Sequence, residues 1–108
     1  MSAYLLVETQ GPWEGPGCAR FLADAVDLAR DGDQVCVALL QDGVTAAVGR
    51  PLLEVEELVV LGAQVWVDRF SVAQRALLRA PLPVGAELVE MDKIAARLLD
   101  PEVRVVWH

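Results

Sequence analysis

Cysteine and histidine are scarce in this sequence, and their scarcity removes whole classes of chemistry. Two cysteines, Cys18 and Cys36, and a single histidine, His108, are all that its 108 residues supply. Thiols spaced this way make neither a CxxC redox pair nor a disulfide framework, and one imidazole does not complete a zinc set. Lys and Arg number 9 against 16 Asp and Glu, for a net charge of −7, and no basic stripe is present. An acidic surface repels phosphate backbones, so nucleic-acid binding is not expected, while a basic partner is easier to attract. No apolar run approaches the roughly 18 residues of a membrane span. The Met1-Ser-Ala-Tyr start lacks the charged and apolar segments of a secretory signal. These absences lead us to expect no membrane partner and a reducing, cytoplasmic setting.

Apolar character is abundant, at 55% of residues with a mean hydropathy of +0.39. A chain of this length fits one domain, here residues 1–108, and hides roughly two-thirds of its unfolded surface. The excess implies either a sheet covered on both faces or an apolar surface kept for subunit contacts. The second alternative makes a homo-oligomer the expectation.

The hydrophobic period changes repeatedly along the chain. Ala3 to Val7 is a short apolar run of strand formers, followed by the breaker-rich loop from Thr9 to Gly17. From Cys18 the period becomes helical, with Cys18, Phe21, Leu22, Ala25, Val26 and Ala29 on one face and Gly32 closing the helix. Val35 to Leu40 reads as a second strand, Val44 to Arg50 as a looser stretch with at most one helical turn. Pro51 suits the first position of a helix carrying Leu52, Val55, Leu58 and Val59. Gln64 to Val67 is a third strand. Ser71-Val-Ala-Gln74 has the form of a capping box opening a helix through Leu78. Glu87 to Met91 is a short fourth strand, Asp92 caps a helix carrying Ile94 and Leu98, and Val103 to Trp107 is the last strand. This alternation defines an α/β class: a three-layer α/β/α sandwich around a five-stranded, mainly parallel sheet.

Ligands of open parallel sheets bind beyond the carboxyl ends of the strands. Those ends here are Glu8-Thr9, Gln41-Asp42-Gly43, Asp68-Arg69 and Trp107-His108, so Glu8, Thr9, Asp42, Asp68 and Arg69 form a candidate binding rim. The loop Gly11-Pro-Trp-Glu-Gly-Pro-Gly17 matches no phosphate-cradle spacing and carries Glu14 where an anion would sit, so it reads as an ordinary connection. Cys18 opens a helix, where free amides and the helix dipole favour a thiolate, yet it also lies on the apolar stripe, where a cysteine is core. Cys36 is packing. An acid at Asp68 has a plain role in offsetting the positive end of the following helix. A magnesium-binding receiver site is a weak fit, because it needs an acidic pair after the first strand and a lysine after the last. Glu8-Thr9 and Trp107-His108 stand there instead. His108 is a candidate proton acceptor or relay, although a terminal residue in this place also suits a subunit contact.

Several segments together resemble the DsrE/DsrF-like family of small sulfur-relay subunits, which includes the TusBCD group. They are the helix Cys18-Ala-Arg-Phe-Leu-Ala-Asp-Ala, the stretch Gly32-Asp-Gln-Val-Cys-Val-Ala-Leu-Leu-Gln-Asp-Gly-Val44, the helix–glycine–strand step from Leu58 to Val67, and Ser71-Val-Ala-Gln-Arg75. The resemblance implies five parallel strands in the order 4-3-2-1-5, assembly into dimers, trimers or hexamers, or hetero-oligomers with related subunits, and a sulfur-carrier protein as partner. No cofactor and no metal are expected. The implied strand order sets the last strand beside the first and brings His108 near the loop into Cys18, so we expect the two to pair as a thiol–imidazole couple. Family members that carry persulfide sulfur do so on a cysteine after the third strand, which falls at or near Asp68 here. A carboxylate cannot hold a persulfide, since that chemistry needs a polarisable thiolate. The expected role is therefore a non-catalytic or structural subunit. The alternatives are a sulfur carrier, of sulfurtransferase type, that uses Cys18, and a small-molecule-binding protein at the acidic rim.

Overall fold

The computed structural model describes residues 2–108. Five strands, β1 (Ala3–Glu8), β2 (Gln34–Leu39), β3 (Gln64–Asp68), β4 (Ala86–Val89) and β5 (Val103–Trp107), form one sheet in the order β4-β3-β2-β1-β5. Every pairing is parallel, with Val7 opposite both Ala38 and Trp107, and Ala38 opposite Trp66. Parallel strands need crossovers, and four helices supply them: α1 (Gly17–Arg30), α2 (Leu53–Val60), α3 (Arg69–Gln74) and α4 (Met91–Leu98).

Period-2 alternation divides the strand side chains between two cores. On one face Leu6, Val37, Leu39, Val65 and Val67 pack with Phe21, Leu22 and Val26 of α1 and Val55 and Leu58 of α2. Leu22 is wholly buried there, which is worth roughly 2–3 kcal/mol of transfer free energy. On the other face Leu5, Val7, Cys36, Ala38, Leu40 and Trp66 meet Ile94, the one fully buried residue of α4. This second layer is thin. Trp107, on the same face at the β5 edge, is 59% exposed, and Leu99 just beyond α4 is more exposed still.

Several element boundaries differ from those expected. The cap of α3 is Asp68, not Ser71: Asp68 is extended (φ −68°, ψ 115°) and accepts the Ser71 amide hydrogen, and Ser71 lies inside the helix. That helix stops at Gln74 rather than running to Leu78, because Ala76 takes a left-handed φ of 57°. Helix α4 is entered from Glu90, with Asp92 in its first turn rather than at its cap. Met91 belongs to that helix and not to β4. The turn expected within Val44–Arg50 is a 3-10 segment that begins earlier and spans Gln41–Ala46. Helix α2 begins at Leu53, two residues past Pro51.

Candidate functional site

Glu8 ends β1 with its side chain completely buried. An ionised carboxylate in that position persists only where donors surround it. His108 Nδ1 lies 2.8 and 2.9 Å from its two oxygens, and the Gln10 amide donates to Oε1 at 2.9 Å. The sheet makes this possible. β5 lies beside β1, so the His108 amide donates to the Val7 carbonyl at 2.8 Å and brings a residue 100 positions away onto Glu8. Thr9 holds the His108 carbonyl twice, through its amide at 3.1 Å and its hydroxyl at 2.7 Å. Phe21 stacks on the imidazole, with ring centroids 5.1 Å apart and planes 19° from parallel.

Two glycines shape the pocket around this pair. A Cβ on Gly43 would collide with the Glu8 carbonyl, lying 2.9 Å from its carbon, and a Cβ on Gly17 would come within 3.0 Å of His108 Cε1. Position 43 requires glycine for space rather than for backbone freedom, whereas at 17 the His108 ring need give only a few tenths of an ångström to admit a Cβ.

The thiol–imidazole couple is not the arrangement found. His108 Nδ1 is bound by Glu8, and no hydrogen bond joins His108 to Cys18 among the described residues. Cys18 is 1% exposed, and burial, reinforced by Glu8 and Glu14, pushes its thiol up to about 12. Burial lifts Cys36 to about 12 as well, although Arg97 and Lys93 pull the other way.

The remaining rim residues form a second, adjoining group. Asp68 is 2% exposed. Its Oδ2 accepts from the Ser71 amide at 3.1 Å and the Ser71 hydroxyl at 2.6 Å, while its Oδ1 is buried without a partner among the described residues. The Ser71 hydroxyl in turn accepts the Gln41 amide hydrogen at 2.8 Å, fixing Gln41 at a φ of 53°. Arg75 grips Asp42 through Nε at 3.0 Å and Nη2 at 2.8 Å and reaches the Ser71 carbonyl at 3.1 Å. The guanidinium holds the Asp42 carboxyl below the ordinary carboxylate range. Arg69 turns away to Glu90 at 3.7 Å. The acids are therefore engaged one by one, and among the described residues no three His, Cys, Asp or Glu side chains are placed to hold a metal ion.

Sequence reasoning placed Glu8, Thr9, Asp42, Asp68, Arg69 and His108 on one rim, but it missed Phe21, Gly17, Gly43, Ser71 and Arg75. Phe21 read only as a core residue on the apolar stripe of α1. Arg75 carried a legible signal, standing one helical turn beyond Ser71.

An all-parallel sheet ordered β4-β3-β2-β1-β5, with helices on its faces, defines the DsrE-like fold. The structure is similar to that of the ychN protein from E. coli, with a TM-score of 0.89 over 100% of both chains. Identity is 19%, so this is a likeness of fold. No family model matches the sequence, and no curated protein matches it. Among the described residues no helix is long and apolar enough to cross a membrane.

Proposed function

We propose that this chain, one DsrE/F-like domain over residues 1–108, is a subunit of a cytoplasmic, oligomeric sulfur-relay system and does not itself carry the sulfur. Asp68 supports this reading. It ends β3, where the family resemblance puts the working cysteine, and its carboxylate is locked to Ser71. Persulfide transfer needs a thiolate, and the two cysteines this chain retains are both buried, with thiols pushed up to about 12. That weighs against a carrier role for Cys18. The individual pairing of the rim acids likewise weighs against a small-molecule site there.

The thin second layer supports assembly with further copies or with related subunits, because exposed Trp107 and Leu99 border it. Native mass spectrometry is the test. The expected result is a closed oligomer, alone or with a cysteine-bearing relative, in which this chain gains no sulfur after incubation with a persulfide donor. A strictly monomeric chain, or one that takes sulfur on Cys18, overturns the reading.

A further inference from the structure

The Glu8–His108 pair has an organisation that a structural subunit does not need. The imidazole is gripped by Glu8 at Nδ1, stacked on Phe21 and anchored through its carbonyl by Thr9, with Gly17 leaving room beside it. With Nδ1 committed to a carboxylate, the lone pair of the neutral ring resides on Nε2. The His108 side chain is 31% exposed, and Nε2 has no hydrogen-bond partner among the described residues. A carboxylate and an imidazole that it fixes, with Nε2 free, are two members of a thiol–imidazole–carboxylate triad. The missing member is the thiol. Cys18 is buried in the core beneath α1, and Cys36 belongs to the core on the other face.

We propose that Glu8 and His108 form a general base for a thiol that a second protein brings to this rim. Glu8 is the positioning residue and His108 Nε2 the proton acceptor. The S–H bond breaks, its electron pair stays on sulfur as a thiolate, and the proton moves to Nε2. The imidazolium so formed is held by the Glu8 carboxylate, and no oxidant or reductant is consumed. A thiol suits the site better than a hydroxyl, because ordinary thiol and imidazole pKa values lie only about 2 units apart. An anionic phosphate is disfavoured by Glu8 and Glu14 alongside. A protein-borne thiol suits it better than a small metabolite. Trp13, 90% exposed, lies in the loop that leads to α1 and offers an apolar contact to a protein docking there. A cavity of about 660 Å³ exists, but Gly32, Gly62 and Val103 line it, at the opposite end of the sheet. The sulfur-relay reading names the partner; the base does not depend on that reading.

The test supplies the absent thiol in place. A Cβ at position 17 lies 3.2 Å from Nε2, so Gly17→Cys sets a thiol against the proposed base. Iodoacetamide should alkylate it at neutral pH about tenfold faster than in Gly17→Cys/His108→Ala, with Gly17→Cys/Glu8→Gln between, because rate follows thiolate fraction. Equal rates in folded variants overturn the proposal. The unaltered chain gives an independent readout. Its only histidine should show, by nitrogen NMR, a neutral ring protonated at Nδ1 and bare at Nε2; a proton on Nε2 overturns it too. Alkylation of Cys18 in the unaltered chain at a comparable rate would place the thiol in cis and rule out delivery by a partner. A monomeric chain in the native spectra would sink the relay reading and leave the tautomer and alkylation results standing.

Discussion

Gly43→Ala tests how tightly the fold is built around Glu8. The added methyl would collide with the Glu8 carbonyl, 2.9 Å from its carbon, where ordinary contacts between carbon atoms run at about 3.5–4.0 Å. The obstacle is backbone at the end of a central strand, so relief requires moving the Gln41–Ala46 turn by on the order of 1 Å. Overpacking of this kind costs about 1–3 kcal/mol. The same movement strains the Leu40 amide bond to the Glu8 carbonyl, 2.9 Å long, worth about 1 kcal/mol more. A loss of about 2–4 kcal/mol is expected, a large part of the 5–15 kcal/mol typical of a domain. Gly62→Ala is the control: its Cβ meets nothing within 4 Å, and only the φ of 83° resists it, at roughly 1 kcal/mol. Both changes lower the entropy of the unfolded chain equally, so that contribution cancels in the comparison. Urea unfolding of the two variants gives the difference directly. Should Gly43→Ala prove no more costly than Gly62→Ala, the close approach to Glu8 is not a constraint on the fold, and the argument from it fails.

Asp68→Ala should cost about 2 kcal/mol in urea, since it removes the cap of α3 and releases the Ser71 hydroxyl that fixes Gln41; an unchanged midpoint would refute the capping role. Alkaline pH should destabilise the chain through its buried thiols. Their folded values lie near 12, above the unfolded value near 9.0, so their contribution is complete below about pH 9 and is lost as pH rises towards 12. Urea midpoints in that range should fall less steeply for Cys18→Ala/Cys36→Ala than for the unaltered chain, and parallel slopes would contradict the burial argument. Trp107→Glu should dissociate the proposed oligomer in sedimentation while leaving the thermal unfolding of the monomer nearly unchanged, because the side chain is 59% exposed within one chain. Persistence of the assembly would move the interface elsewhere.

The switching of hydrophobic period made the order of strands and helices readable, since strands buried on both faces show as short apolar runs and α1 as a clean stripe. Helix starts were harder to read. Ser71-Val-Ala-Gln74 looked like a capping box, yet Asp68, three residues earlier, is the better acceptor because it already stands at the strand exit in extended backbone. The left-handed Ala76 that ends α3 carries no sequence signal, alanine being the residue least expected to stop a helix. The site was legible in its membership but not in its wiring. Glu8 and His108 are 100 positions apart, and their contact depends on β5 lying beside β1, which periodicity along the chain does not determine. Cys18 was ambiguous for a physical reason: its position at the start of α1 favours a thiolate, and its place on the apolar stripe opposes one. Burial decides the matter, with Glu8 adding to it.

The rim therefore separates two properties that a sulfur carrier combines at one residue. A carrier needs a strand exit that displays sulfur and an environment that keeps the sulfur ionised. Here the exit of β3 displays a carboxylate already committed to Ser71, which accepts hydrogen bonds but forms no bond to sulfur. The environment that would promote ionisation lies two strands away, at the ends of β1 and β5, where Glu8 and His108 meet. Neither buried cysteine connects the two, since a thiol near 12 is almost wholly protonated at neutral pH. On the proposed reading, a chain arranged this way acts on sulfur only in company, with the reacting thiol arriving on another protein and the proton leaving through His108.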